Sequence, residues 1–332
     1  MNVQQRSRRR KAAFILTPIL LLFIVFYGLS YGSVPISFQQ IWAVFTSADS
    51  QPVNEKIIMN LRLPRVLIGL LVGACLAAAG ALLQGVMKNP LADPGIIGVS
   101  AGGGLAAITA MILFPQLSYL LPMLAFLGAF ITALVIYLLA WDKGASPLKI
   151  ILAGVAINAL LGAVTNGIMV IYSDRVQAVL PWLAGGLSGR SWYHLGFMAP
   201  YALIGLALTV FAVKPANLLL LGDDSAKLLG QKVELQRFLL IVLSALLAGT
   251  AVSVAGLIGF VGLVVPHAFR LLIGDDYRFL LPLSILGGAA LVVLADTIAR
   301  TWFDPIELPV GILLAALGAP FFLYLLKKRR LM

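Results

Sequence analysis

The sequence predicts an all-α polytopic membrane protein with about ten transmembrane helices. Of its 332 residues, 61% are hydrophobic and 11% are charged, whereas soluble domains contain about 45–50% apolar and about 25% charged residues. The apolar residues form runs of about 18–22 residues, the length at which an α-helix crosses the hydrocarbon core of a bilayer. Segments of about ten residues with alternating polarity, typical of membrane β-barrels, do not occur. Helices then remain to satisfy the backbone polar groups within the bilayer.

The apolar runs define the spans in chain order. We expect a single membrane domain over residues 1–332. It begins with a basic tail, 1–11, and its inner loop, 214–237, separates six spans within 12–213 from four within 238–326, before a short tail, 327–332. The predicted spans are 12–30, 64–84, 95–114, 122–141, 148–171, 196–213, 238–256, 258–273, 280–299 and 309–326.

The first run follows five basic residues, as does the apolar core of a cleavable signal peptide. Small residues of the kind that mark a cleavage site are not obvious after Leu29, which favours a retained first helix. That leaves an even number of spans, so both termini are expected on one side of the membrane.

The distribution of positive charge predicts which side that is. Of the 24 Lys and Arg residues, 17 fall on the side of the termini and six on the other, while Arg270 lies within or near a span. Positive residues are retained in the cytoplasm. We therefore expect a plasma-membrane protein with both termini cytoplasmic, and the net charge of +11 needs no nucleic-acid partner.

Two segments outside the spans carry further information. Residues 36–45 place large apolar side chains at helical spacing, which predicts a short helix on the outer membrane surface. The inner loop mixes leucines with charged residues, and Asp223, Asp224 and Ser225 are suitable N-cap residues for a short helix ending at Leu229. An exposed helix of this composition is expected to bind a soluble partner.

An internal repeat favours a transporter. Residues 69–98 align without gaps with residues 245–274, with nine identities in thirty positions. The first copy would begin outside and the second inside, so the repeat would be inverted. Many transporters build a central pathway from inverted repeats.

The chemistry of the spans argues against an enzyme. The chain has no phosphate-binding loop of the G-x-x-x-x-G-K-[ST] type, so energy must come from a partner or an ion gradient. Within the spans Asp296, His267 and Arg270 are the ionisable candidates, few for an ion-coupled carrier. Asp296 is expected to pair with Arg300, one helical turn away. With two His and the single cysteine Cys75, we expect neither a catalytic site nor a metal site.

Three arginines flank the spans on the predicted outer side: Arg62, Arg65 and Arg300. Because the guanidinium group is a planar fork suited to carboxylates, these residues are candidates for gripping acidic side chains of an external protein. Anchoring at the membrane interface is the alternative that their spacing leaves open.

Six stretches of the sequence resemble permease subunits of bacterial iron–siderophore and vitamin B12 importers, the FecCD or BtuC-like family. The matching stretches are 61–65 (LRLPR), 80–103 (GALLQGVMKNPLADPGIIGVSAGG), 151–154 (ILAG), 256–270 (GLIGFVGLVVPHAFR), 295–300 (ADTIAR) and 307–320 (ELPVGILLAALGAP). The resemblance implies a second permease subunit, two cytoplasmic ABC ATPases that bind ATP and magnesium, and an external substrate-binding protein. This chain would then carry no cofactor itself.

The resemblance also implies roles for individual residues. Arginines at the positions of Arg62, Arg65 and Arg300 would pair with glutamates of the binding protein. The inner loop would contact the ATPase through Leu218, Gly222, Asp223, Asp224, Ser225, Leu229 and Gly230. The cytoplasmic gate would lie at Ser146, Pro147 and Leu148, where the B12 member has small hydroxyl residues.

The resemblance implies a permease that moves an iron(III)–siderophore complex inward by alternating access, driven by partner ATPases. Vitamin B12 or haem import by the same family is the alternative for the cargo. An ion-coupled secondary carrier, or a membrane-embedded structural or receptor subunit, is the alternative for the class of protein.

Overall fold

A computed structural model describes residues 3–32, 34–46, 51–142, 144–303 and 306–329. These residues form fourteen α-helices and short 3-10 and π segments, with no named strand among them. The helices are α1 (Val3–Ser30), α2 (Phe38–Thr46), α3 (Pro52–Lys56), α4 (Leu63–Val86), α5 (Val99–Leu113), α6 (Leu121–Leu139), α7 (Pro147–Ile171), α8 (Val176–Ala184), α9 (Trp192–Leu220), α10 (Asp223–Leu228), α11 (Val233–Ala255), α12 (Val261–Ile273), α13 (Tyr277–Thr301) and α14 (Val310–Arg329).

The predicted fold class is confirmed, because each of the ten predicted spans corresponds to an apolar helix. Seven helices of the described chain are long and apolar enough to cross a membrane, and three shorter apolar helices supply the rest: Val99–Leu113, Val261–Ile273 and Val310–Tyr324. The chain is therefore a multi-pass membrane protein.

Several helices continue past the apolar runs that define the predicted spans. Helix α1 begins at Val3, so most of the predicted basic tail is helical, and Arg, Lys and Gln are good helix formers. Helix α9 runs to Leu220 and α11 begins at Val233, which shortens the predicted inner loop to residues 221–232. The ends of the predicted tails, 1–2 and 330–332, lie outside the described residues.

The predicted surface helix corresponds to α2. Its Ile41 is 1% exposed and packs with α1 residues such as Ile24, whereas Trp42 is 59% exposed. The ring centroids of Phe38 and Phe26 lie 5.4 Å apart, which ties α2 to α1. One face of α2 is therefore held by the protein and the other is free to face the membrane.

Helix α4 forms the centre of the bundle and contacts α9, α11, α12 and α13. Glycines let the backbones meet. A Cβ added to Gly73 would lie 2.1 Å from the carbonyl oxygen of Gly288, and one added to Gly80 would lie 1.9 Å from that of Gly262. Small residues allow this close packing within membranes, where helices gain little from burying apolar surface.

The two copies of the predicted repeat agree only in part. Residues 69–86 and 245–255 are helical, and Gly98 and Gly274 share a positive φ, 79° and 91°. Residues 87–93, however, form a loop, whereas their counterparts 263–269 lie inside α12. The inverted repeat stays a prediction, supported over its first helix.

Candidate functional site

The tertiary structure gathers the three predicted docking arginines at the N-terminal end of α4. Arg62 ends the π segment Ile57–Arg62, Arg65 lies in the first turn of α4, and Arg300 lies in the last turn of α13. With Glu307 they line an open cavity of about 260 Å³. We call these four residues and Asp296 the arginine cluster. Single turns of π-helix occur often at functional sites.

Arg65 binds two carboxylates of its own chain. Its Nε and Nη2 donate to Oδ2 and Oδ1 of Asp296 at 2.8 and 2.9 Å, and its Nη1 donates to Oε2 of Glu307 at 2.9 Å. The fork-to-fork contact with Asp296 is the strong, orientation-specific form of this pair. The predicted pairing of Asp296 with Arg300 is therefore wrong, because a different helix supplies the partner.

Arg62 and Arg300 hold the end of α1. Nη1 of Arg62 donates to the carbonyl oxygens of Leu29 and Ser30 at 2.6 and 2.8 Å, and Nη2 of Arg300 donates to that of Gly28. The last carbonyls of a helix lack partners within it, and positive charge is favourable at that end. These two arginines therefore cap α1.

The three arginines are much less exposed than their predicted role suggested. Arg62, Arg65 and Arg300 are 4%, 9% and 6% exposed. We expected guanidinium groups projecting from the membrane surface, but each already donates to groups of its own chain, because the chain after α1 and the end of α13 fold over them. Their docking role stays a prediction, and the shared cavity is the route by which an external carboxylate could reach them.

Glu307 was not singled out from the sequence. Burial alone would raise its pKa, but Arg65, together with Ser188 and Arg300, holds the pKa of this carboxyl below its usual range. Glu307 and Arg65 also line a neighbouring cavity of about 550 Å³ beside Arg190. The sequence carried Glu307 only as the first residue of the family stretch 307–320.

The opposite end of α4 lies beside α10, and we call it the α10 end. Gly222, with φ 101°, is the N-cap of α10, so the prediction that an acidic or hydroxyl residue caps this helix is wrong. Asp223 and Asp224 occupy its first turn, where negative charge is favourable. Leu228 is 90% and Leu229 is 58% exposed, so an apolar surface faces away from the bundle.

The remaining predicted coupling residues surround this helix. Leu218 belongs to the last turn of α9 rather than to a loop, and it is partly exposed. Ser225 is exposed within α10, and Gly230 follows it with φ 76°. The predicted set therefore lies on one short stretch of chain around α10.

A network of ion pairs joins three segments at the α10 end. Asp223 accepts from Nζ of Lys88 and from Nη2 of Arg237, both at 2.7 Å. Nη1 of Arg237 donates to Glu234 at 3.0 Å and to the carbonyl oxygen of Ala145 at 2.7 Å. Burial alone would raise the pKa of Asp223, but Lys88 and Arg237 hold the pKa of this carboxyl below its ordinary value. No pattern in the sequence indicated this network.

The predicted gate residues form the start of α7. Ser146 is its N-cap, with its Oγ accepting from the backbone N–H of Lys149 at 3.3 Å, and Pro147 is the first helical residue. This is the usual chemistry of a helix start. Leu148 is 65% exposed, and most of α7 is open on one side. The three predicted gate residues thus lie at the N-terminal end of α7, and their role as a gate stays a prediction.

Within the described ranges, no three His, Cys, Asp or Glu side chains lie close enough together to hold a metal ion. Cys75 is buried in α4.

Comparison with known proteins gives one consistent family. The model of the FecCD transport family matches residues 20–328. The Fe(3+)-citrate import system permease protein YfmE of Bacillus subtilis is 41% identical over 331 residues, which cover 97% of this chain and 98% of that protein. The cobalamin import system permease protein BtuC of Halobacterium salinarum is 41% identical over 296 residues, which cover 87% of this chain and 80% of that protein.

A solved structure supports the same conclusion. It is described as an inward-facing conformation of a metal-chelate type ABC transporter. The match has a TM-score of 0.85 and 32% sequence identity, and covers 96% of this chain and 99% of that one.

Proposed function

The chain belongs to the FecCD transport family, and from that premise we propose that it moves an iron(III)–siderophore complex into the cytoplasm as the permease of a binding-protein-dependent ABC importer. It is a transport subunit and not an enzyme. The observation that carries the proposal is the match of nearly the whole chain, residues 20–328, to the family. The relative named for ferric citrate supports iron as the cargo, and the relative named for cobalamin keeps vitamin B12, with haem, as the alternative.

The mechanism we propose is alternating access driven by partner ATPases, which bind ATP and Mg²⁺ so that this chain needs no cofactor. A second permease, identical or related, completes the pathway. The absence of a phosphate-binding loop from the sequence supports a separate ATPase, and the few ionisable residues of the spans argue against an ion-coupled carrier. The bacterial plasma membrane, with both termini cytoplasmic, is the proposed location.

The two ends of the bundle receive different partners in this proposal. The ATPase binds around α10, where exposed Leu228 and Leu229 lie beside the acidic first turn. The binding protein docks over the arginine cluster, where its acidic side chains enter the cavity lined by Arg62, Arg65 and Arg300. Ser146, Pro147 and Leu148, at the start of α7, form the gate on the α10 side.

Uptake by the reconstituted importer tests the transport proposal. With ATP inside proteoliposomes and the cognate binding protein present, we expect uptake of radiolabelled iron as a siderophore complex, and none with a non-hydrolysable ATP analogue. Cobalamin and haemin, supplied in parallel, decide between the cargoes. Uptake that persists without ATP and stops when a protonophore is added would point to an ion-coupled carrier.

The docking residues are tested by the affinity of the binding protein for the permease. Arg62→Gln or Arg300→Gln should weaken binding about tenfold, because hydrogen bonds to charged groups contribute about 1.5–3 kcal/mol and each 1.4 kcal/mol is tenfold in affinity. Arg175→Gln is the matched control, since Arg175 lies on the same predicted side and also donates to a backbone carbonyl, that of Ile112, but is not among the residues that line the cavity. Equal affinity for all three variants, each present at normal levels in the membrane, would contradict the assignment.

A further inference from the structure

Arg237 is a buried arginine without a role in the proposed transport mechanism. It lies in the first turns of α11, is 1% exposed, and is the largest side chain among those that are fully buried. A buried charge is costly unless several partners satisfy it. Arg237 has three: Asp223, Glu234 and the carbonyl of Ala145.

The contact with Ala145 is part of a two-sided clamp. Nη1 of Arg237 donates to the carbonyl oxygen of Ala145 at 2.7 Å, while Oε2 of Glu234 accepts from the N–H of Ala145 at 3.0 Å. Both backbone polar groups of Ala145, its N–H and its carbonyl oxygen, are thus bonded to side chains of α11. A Cβ added to the preceding Gly144 would lie 3.0 Å from the Glu234 carboxyl carbon, so the loop is seated closely on that carboxylate.

Ala145 lies two residues before the first residue of α7, Pro147. The residue between them, Ser146, is the N-cap of that helix. Because Ala145 is fully buried and bonded on both sides, the start of α7 is expected to follow any movement of Arg237. The guanidinium can make these contacts together because it is a rigid planar fork, which a lysine ammonium is not.

On its other side, Arg237 holds α10. Its Nη2 donates to Oδ2 of Asp223, the first residue of that helix, at 2.7 Å. Ala226 is the buried residue of α10, and Leu228 projects from it almost fully exposed. A partner that binds the exposed leucines would therefore be in a position to move α10. Arg237 attaches this helix to the bundle through its ion pair with Asp223.

We infer that Arg237 is a positioning residue that links α10 to the start of α7, so that movement imposed on α10 reaches residues Ser146–Leu148. The inference rests on the proposed function, in which an ATPase binds α10. One side chain contacts both segments, and Lys88 contacts Asp223 without contacting Ala145. Lys88 therefore supplies a matched control within the same network.

The test uses the complete importer and measures cargo taken up per ATP hydrolysed. Arg237→Lys keeps the charge but loses the fork, and we expect cargo per ATP to fall at least about fivefold, the lower end of typical coupling between two sites. Binding of the ATPase should be retained. Lys88→Gln should leave the ratio close to that of the unmodified importer, because the contacts of Arg237 remain.

A second variant keeps the test decisive where replacement of a buried arginine prevents folding. Glu234→Gln removes one charged acceptor from the clamp on Ala145 and leaves the bond between Arg237 and Asp223 in place. We expect the same direction of change with a smaller loss of cargo per ATP.

Spin labels at positions 228 and 148 distinguish a role of Arg237 in linking the movements of α10 and α7 from a role in stability alone. In the unmodified importer both labels should shift when nucleotide binds, whereas in Arg237→Lys the label at position 228 should still shift and the label at position 148 should not. Normal cargo per ATP in Arg237→Lys and Glu234→Gln, or an equal loss in Lys88→Gln, would overturn the inference alone. An unmodified importer that shows no ATP-dependent uptake would overturn the proposed function and this inference with it.

Discussion

Arg65 was predicted to dock an external protein, but in the structure it forms ion pairs within its own chain. It joins the start of α4 to the end of α13 through Asp296, and both side chains are largely buried. Removing charges from water is costly, and the bidentate geometry recovers much of that cost. Arg65 therefore joins two helices through a side-chain ion pair, whereas Arg62 and Arg300 bind backbone carbonyls at the end of α1.

We predict that Arg65→Gln lowers the free energy of unfolding by about 3–5 kcal/mol, because it leaves a buried carboxylate without its charged partner. Asp296 is 4% exposed, so water cannot easily replace the guanidinium. The measurement is denaturant or thermal unfolding of the purified subunit in detergent. The double variant Arg65→Leu with Asp296→Leu should recover most of the loss.

Lys149→Gln is the matched control for that measurement. It removes one partner of the ion pair between Lys149 and Asp142, which lies on the surface. Exposed pairs contribute little to stability. If Arg65→Gln were as stable as Lys149→Gln, the pair between Arg65 and Asp296 would not hold the fold together.

At the scale of the helix, the position of α4 depends on two glycine crossings. Gly73 meets Gly288 of α13, and Gly80 meets Gly262 of α12, in each case with backbone against backbone. A carbonyl oxygen cannot move aside as the end of a side chain can. These crossings set how closely α12 and α13 approach the central helix, and through α13 they also set where Asp296 lies.

We predict that Gly80→Ala lowers the free energy of unfolding by about 1–3 kcal/mol, the usual cost of overpacking. The new Cβ would lie 1.9 Å from the carbonyl oxygen of Gly262, so α4 and α12 must separate. Gly167→Ala in α7 is the control, since no atom lies within 4 Å of the Cβ that it adds. Equal unfolding temperatures for the two variants in detergent would contradict this account of the crossing.

At the scale of the whole molecule, the orientation proposed from positive charge can be tested with the single cysteine. Cys75 is fully buried, so a Cys75→Ala background should react like the natural chain with a membrane-impermeant maleimide. We predict that Leu228→Cys is labelled in inverted vesicles and protected in intact cells, and that Val53→Cys shows the opposite pattern. Both side chains are well exposed on the chain alone, so in a permease produced without its ATPase their access depends on the side of the membrane. Labelling of Leu228→Cys from outside would reverse the proposed orientation.

Apolar runs along the chain were enough to predict the fold class and the ten apolar helices. The reason is that the bilayer sets the length of an apolar helix, and that length can be counted along the chain. The same reasoning placed the candidate residues at the correct helix ends, and the family motifs predicted the transport role. Helix ends at Val3, Leu220 and Val233 were missed, because charged and amphipathic residues extend helices beyond the hydrocarbon.

The contacts between side chains from distant parts of the sequence became visible only in the folded chain. Arg65 and Asp296 are 231 positions apart, and Arg237 and Ala145 are 92 apart. The first pairing depends on how α4 and α13 cross at Gly73 and Gly288, and the second on how the loop before α7 lies against α11, so neither leaves a local pattern in the sequence. For the same reason the burial of the arginine cluster and the clamp at the start of α7 could not be predicted, since hydropathy reports whether a residue lies near the membrane and not which partner it finds there.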